Sequence, residues 1–282
     1  MTRPGTSLRA LGIAAPALLA GFSLSAQNVD SIRATYILAL PPGVEVARTV
    51  TRSAPGTSSG TPTAYGAEFG DVFFDAGYQH RTRYTKGLPW RERCDGAVAM
   101  GFGLGNPRRN LGIELAFTSF STIRSGFFHT TSFSFKVHRA LPWNLAVAYG
   151  WDDAIHSRGT DGGSSQYGVL TSFIRTREKP ESPFSSVTLS VGVGNSRFLP
   201  EEAFYEGRNG VNAFGSIGAR ILSPVSLIAD WTGQDLMLGA SIVPFTRVPL
   251  FIAPSFADVT GNAGDGARFV LGVGMDFNFS RN

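Results

Sequence analysis

The chain has 282 residues, of which only 16% are charged; its net charge is +4 and its mean hydropathy is close to zero. Soluble domains usually carry ~25% charged residues, while a bundle of membrane helices would be far more apolar on average, so neither class fits. A single cysteine, Cys94, excludes an internal disulfide and a Cys-based zinc site. The four scattered histidines give no metal-ligand spacing, and no cofactor is expected.

At the N-terminus, Arg3 and Arg9 flank a short polar start, and residues 11–24 form an apolar run followed by Ser23-Leu24-Ser25-Ala26. This predicts a secretory signal peptide over 1–26 with cleavage near Gln27. The run is shorter than the ~20 apolar residues of a spanning helix, which argues against the alternative of a membrane anchor. Residues 27–64 differ in character: an apolar stretch is broken by Pro41-Pro42-Gly43, and 53–63 is rich in Ser, Thr, Gly and Pro. They read as a periplasmic extension ending in a flexible linker, with a short lumen plug as the alternative.

From residue 65 to 282 the chain reads as one all-β domain. Twelve strands are predicted, over 67–80, 95–105, 110–121, 126–138, 143–153, 165–176, 185–195, 210–221, 224–231, 235–244, 250–259 and 267–279. The spans at 210–221 and 250–259 are weak, so ten strands are the alternative. Elsewhere the alternation is strong. Val98, Met100, Phe102 and Leu104 interleave with Ala99, Gly101, Gly103 and Gly105; in the last strand Phe269, Leu271, Val273, Met275, Phe277 and Phe279 interleave with smaller or polar residues. Successive strand side chains point to opposite faces. One face is greasy, and the other is too small and polar for a protein core. A membrane-spanning antiparallel up-and-down barrel has this pattern, with lipid outside and a polar lumen inside. A soluble β-sandwich also alternates, but with a bulky inner face. The 34 glycines suit a narrow lumen face that leaves free space inside. The intervening loops alternate too: 81–93, 154–164 and 196–209 are long, whereas 140–142, 222–224 and 246–249 are short and contain Pro. Outer-membrane barrels have such long external loops and short periplasmic turns.

The ending Gly274-Met275-Asp276-Phe277-Asn278-Phe279 resembles the C-terminal β-signal of bacterial outer-membrane barrel proteins. Gly274, Phe277 and Phe279 match its glycine and its two spaced aromatic positions, while Gly272 replaces a preferred polar residue and Ser280-Arg281-Asn282 follow the last aromatic. The resemblance implies insertion by the barrel assembly machinery into the bacterial outer membrane. More loosely, the stretch from Ala229 through Asp230-Trp231-Thr232-Gly233-Gln234-Asp235 to Gly239 resembles a hairpin of barrel proteins associated with exopolysaccharide export.

The polar faces place Asp71, Asp75, Glu114, Lys136, Asp152, Arg220, Asp230 and Asp276 in the lumen, because a Lys or Arg facing lipid at the midplane costs ~2–4 kcal/mol. They are candidates for a charge-filtering pore lining or for ion pairs bracing the wall; Lys136 and Arg220 are the cations among them. Trp143 and Trp151 bracket one strand, as headgroup-zone girdles do. Arg81, Arg83, Lys86, Arg91 and Arg93 make the first external loop basic, suited to lipopolysaccharide phosphates or to drawing in anions. No nucleic-acid partner is expected. An outer-membrane phospholipase of this architecture would need a Ser activated by His, and His156-Ser157 is the local hint, without that family's surrounding motif. The leading expectation is a narrow porin-like channel for small polar solutes in outer-membrane lipid, not an enzyme. The alternatives are a non-conducting envelope barrel serving polysaccharide export and, last, a lipid hydrolase.

Overall fold

The computed structural model describes residues 55–157, 163–245 and 248–279. The predicted signal peptide over 1–26, residues 27–54 and Ser280-Arg281-Asn282 lie outside the described residues. Twelve strands follow in chain order: β1 Asp71–Gln79, β2 Asp95–Gly105, β3 Gly112–Phe120, β4 Thr130–Leu141, β5 Leu145–His156, β6 Ser165–Arg175, β7 Ser186–Gly194, β8 Asn212–Leu222, β9 Val225–Trp231, β10 Leu236–Ile242, β11 Leu250–Ala257 and β12 Arg268–Asn278. Each pairs antiparallel with its neighbours in sequence, and β12 pairs back onto β1 to close the barrel.

Both weak spans are therefore strands, and the ten-strand alternative falls. β11 is the harder of the two to read because Pro254 sits within it and cannot donate to a ladder; only three register pairs join it to β10. β1 begins at Asp71, later than the predicted 67, because Ala67 and Phe69 bond elsewhere: Ala67 N–H donates to Glu114 Oε2 at 2.7 Å and Phe69 bridges to Gly103. Trp143 lies in the β4–β5 turn, at a positive φ, and not in a strand.

Alternation along the strands resolves into an outer and an inner face. Outward side chains include Phe74, Met100, Phe102, Leu170, Val191, Ile217 and Leu238, all exposed. Exposed aromatics gather near both rims: Trp143, Phe184 and Phe279 at the end carrying the first residue of β1, and Trp90, Phe127 and Trp231 at the other. We call these the terminal end and the loop end. A closed, even-stranded antiparallel barrel with an apolar exterior and two aromatic girdles has every ladder group satisfied without an edge, which is what lipid demands. It is a membrane-spanning β-barrel.

The inner face differs from the expected open glycine surface. Gly101, Gly150, Gly192 and Gly274 each stand directly across the ladder from a ring, namely Phe73, Tyr167, Phe214 and Phe251. A Cβ at any of these glycines would overlap the facing ring. The ring therefore lies against the wall, over backbone that has no side chain of its own. The glycines make room for aromatic rings inside the barrel and do not leave empty lumen.

Candidate functional site

The site is the barrel interior, and a strap formed by residues 55–67 occupies it. The described part of the Ser/Thr/Gly/Pro segment, 55–63, is buried throughout, so it is not the flexible linker that its composition predicts. The strap starts toward the terminal end, where Gly56 N–H donates to Ser241 Oγ of β10 at 2.8 Å. It climbs past Gly218 of β8, where a Cβ would come 2.6 Å from Thr57 Cα. Its tip, Ser58–Thr61, turns beside Asp230, one residue from the loop end of β9. The Asp230 carboxylate accepts the main-chain N–H of Ser59 (2.7 Å) and Gly60 (2.6 Å) and the Ser58 hydroxyl (3.2 Å).

The returning arm is read chiefly through its backbone. Thr171 Oγ1 accepts the Ala64 N–H at 2.8 Å, Lys136 Nζ donates to Tyr65 O at 2.7 Å, and His138 Nε2 lies 2.9 Å from Ala67 O. Lys136 also pairs with Glu114 at 3.5 Å, and both side chains are about 4% exposed. Main-chain groups crossing a barrel have no ladder of their own, and buried N–H and C=O groups need partners. The inward polar side chains supply them.

The eight predicted interior charges all stand on the inward parity of their strands, but they do not form one lining. Glu114, Lys136 and Asp230 hold the strap. Asp152 pairs with Arg197 at 2.7 Å. Asp71 and Asp276 lie at the terminal end, where Asp71 accepts from Asn278 and from the Glu68 N–H. Asp75 is buried beside Gly274 and Phe251. Arg220 donates from Nε and Nη2 to Ser223 O at 3.0 and 2.6 Å. Phe277 and Phe279 stack 6.4 Å apart near the terminal rim.

The loop end carries a buried ion network in which only Arg83 stands out in the sequence, there as part of an external basic loop. Asp235 accepts from Arg83 (3.3 Å) and Arg268 (3.2 Å), Arg268 reaches Asp258 at 3.8 Å, and Arg83 also pairs with Glu201 at 3.1 Å. Arg268, on the inward parity of β12, is fully buried. Beneath these, Phe198 stacks on Phe214 at 4.3 Å and Tyr167 meets both edge-on. The basic loop is consequently divided. Arg83 is buried in this network and Arg81 is paired with Asp265, so neither is offered to an outside ligand; Lys86 and Arg91 are exposed and Arg93 partly so. Burial by itself would raise the Asp265 pKa, but the Lys86 N–H and the Arg81 guanidinium outweigh it and hold the carboxyl below its ordinary range. Around His156, Nδ1 lies 2.9 Å from Asp153 O, and the Ser157 hydroxyl accepts the Thr131 N–H at 2.9 Å. Neither bond is a hydroxyl–imidazole pair.

No protein-family model matches the sequence, and no curated protein matches it. Among solved structures, the chain is similar to an outer membrane channel from Pseudomonas putida F1, with a TM-score of 0.43 and 11% identity over 83% of this chain and 100% of that one. It is also similar to the outer membrane protein Omp33 of Acinetobacter baumannii, with a TM-score of 0.37 and 8% identity over 74% of this chain and 98% of the other. Neither likeness is close enough to carry a functional assignment.

Proposed function

We propose that the protein is a porin-like channel for small polar solutes in the bacterial outer membrane, held closed in this conformation by its own strap. The observation that carries this reading is the kind of contact holding the strap. Its polar seat consists of hydrogen bonds with Ser241, Asp230, Thr171, Lys136, His138 and Glu114, groups that water or a polar solute can satisfy once the strap moves, while Ala64 and Tyr65 add apolar packing against Tyr167, Phe173, Phe198 and Phe214. The neutral bonds to Ser241 and Thr171 exchange for solvent bonds at small net cost, whereas those to the charged Asp230, Lys136 and Glu114 contribute about 1.5–3 kcal/mol each and keep the closed form the dominant one. The C-terminal strand, with Gly274, Phe277 and Phe279, is its assembly signal in this proposal.

The second reading is a permanently sealed envelope barrel, as an export-associated component would be. The aromatic layer of Tyr167, Phe198 and Phe214 under the buried Arg83–Asp235–Arg268 cluster favours it. Planar-bilayer conductance of the refolded mature chain separates the two. A channel gives a mostly closed wild type with resolvable openings, and a higher open fraction when Asp230→Asn weakens the tip's seat. Silence from correctly inserted wild type and variant alike would sink the channel reading.

A further inference from the structure

At the terminal end, three arginines line one small concavity, Arg220 half-buried and Arg175 and Arg177 exposed. Arg175 ends β6 and Arg220 lies near the end of β8; both stand on the inward parity, and each is directly opposite Ser186 of the intervening β7. Arg177 comes from the β6–β7 turn, which folds back so that the N–H groups of Thr176 and Arg177 donate to Ser185 O at 3.0 and 3.3 Å. The three arginines, Ser185, Ser186 and the ring of Phe173 line the same concavity.

Two observations on this cluster point to an anionic ligand. Arg175 and Arg220 are two strands apart, about 10 Å between backbones at the usual strand spacing, and three like charges over one hollow repel one another. Among the described residues, neither Arg175 nor Arg177 has a hydrogen-bond or ion-pair partner for its guanidinium, and Arg220 uses only Nε and Nη2, both on the Ser223 carbonyl. Glu178 and Glu181, on the same turn, are exposed; Glu181 acts on Arg220 through its charge, and neither forms an ion pair within 4 Å with any of the three. The second observation is independent of charge. The Ser185 hydroxyl, 2% exposed, is buried with no hydrogen-bond partner, although it belongs to the lining. It is one of nine such hydroxyls among the described residues, and the one of them that lines this hollow.

We propose that Arg175, Arg177, Arg220 and Ser185 form a phosphoryl-binding site at the terminal mouth of the barrel. A single carboxylate is satisfied by one guanidinium fork. A tetrahedral phosphoryl group spreads up to two charges over three oxygens and uses several forks together with a hydroxyl donor. The group arrives either on a soluble phosphorylated solute at the mouth or on a lipid headgroup of the leaflet at that end. The site does not depend on whether the barrel conducts.

Titration calorimetry of inorganic phosphate into the refolded mature chain in uncharged maltoside micelles tests the first source. Binding to mixed vesicles of phosphatidylglycerol and an uncharged lipid tests the second. We expect saturable binding in at least one arm, weakened about ten-fold or more by Arg175→Gln and by Arg220→Gln and several-fold by Ser185→Ala. Lys179→Gln, which removes an exposed cation of the same turn outside the lining, should leave it unchanged. Strand circular dichroism verifies that each variant is folded. Binding in neither arm, or equal weakening by Lys179→Gln, overturns the site.

Discussion

The Asp230 carboxylate of β9 accepts the main-chain N–H of Gly60 at 2.6 Å, linking the wall near the loop end to a residue 170 positions earlier in the chain. The neighbouring Ser59 N–H shares the same oxygen. A carboxylate in this role gives the tip of the strap one fixed address inside an otherwise polar tube.

Replacing Asp230 by Ala removes that acceptor and leaves the two N–H groups without it. Hydrogen bonds to charged groups contribute about 1.5–3 kcal/mol each. Amide hydrogen exchange at Ser59 and Gly60, measured in micelles, should therefore accelerate by at least ten-fold, while the amides of β9 keep their protection.

Gly218→Val acts on the same strap by volume. Its Cβ would fall 2.6 Å from Thr57 Cα, against main chain that a flexible side chain cannot replace. The barrel ladder at Gly218 needs no side chain to form, so the strand should persist and the strap should yield. The expected result is loss of exchange protection over 56–60 with β8 still protected. Simultaneous loss in both would mean that the strap cannot move independently.

The Glu114–Lys136 pair predicts an asymmetry between single and double changes. Both groups are buried 3.5 Å apart, and removing one takes a counter-charge from the other, which keeps its bond to the strap backbone; losses from breaking a buried pair run to about 3–5 kcal/mol. Glu114→Gln or Lys136→Met should each lower the urea midpoint markedly, and the double variant should recover part of the loss.

Asp265 gives a pH dependence confined to the loop end. Its folded pKa lies below the ordinary carboxylate value of about 3.9. Its contribution is thus complete above that value and is lost as pH falls through the lower folded one. Proteolysis of the loop 258–267 should rise only below about pH 4, and Asp265→Asn should make the loop equally susceptible at neutral pH.

The barrel itself was legible because its period is imposed by lipid on one side and crowding on the other. The predicted 95–105 coincides with β2, and 224–231 overruns β9 by one residue. What occupies the interior was not legible. A Ser/Thr/Gly/Pro run is suited both to solvent and to a lumen lined by hydroxyls and carboxylates, so 55–63 reads alike for either. An inward glycine reads as empty space unless its cross-strand partner is known, and register pairs Gly192 with Phe214. Arg83 looks like surface charge until folding brings Asp235 and Glu201 to it. Arg268 had a signal in its inward parity on the last strand, overlooked beside the conspicuous apolar row.

The two described arms of the strap leave toward the same rim: Gly56 sits beside Ser241, and Glu68 leads into β1. The tip reaches the far side, and both described arms return to one rim. Over the described residues the insert is a bight in a rope and not a threaded line. A loop that enters and leaves by one rim needs no break in the β1–β12 seam to be inserted.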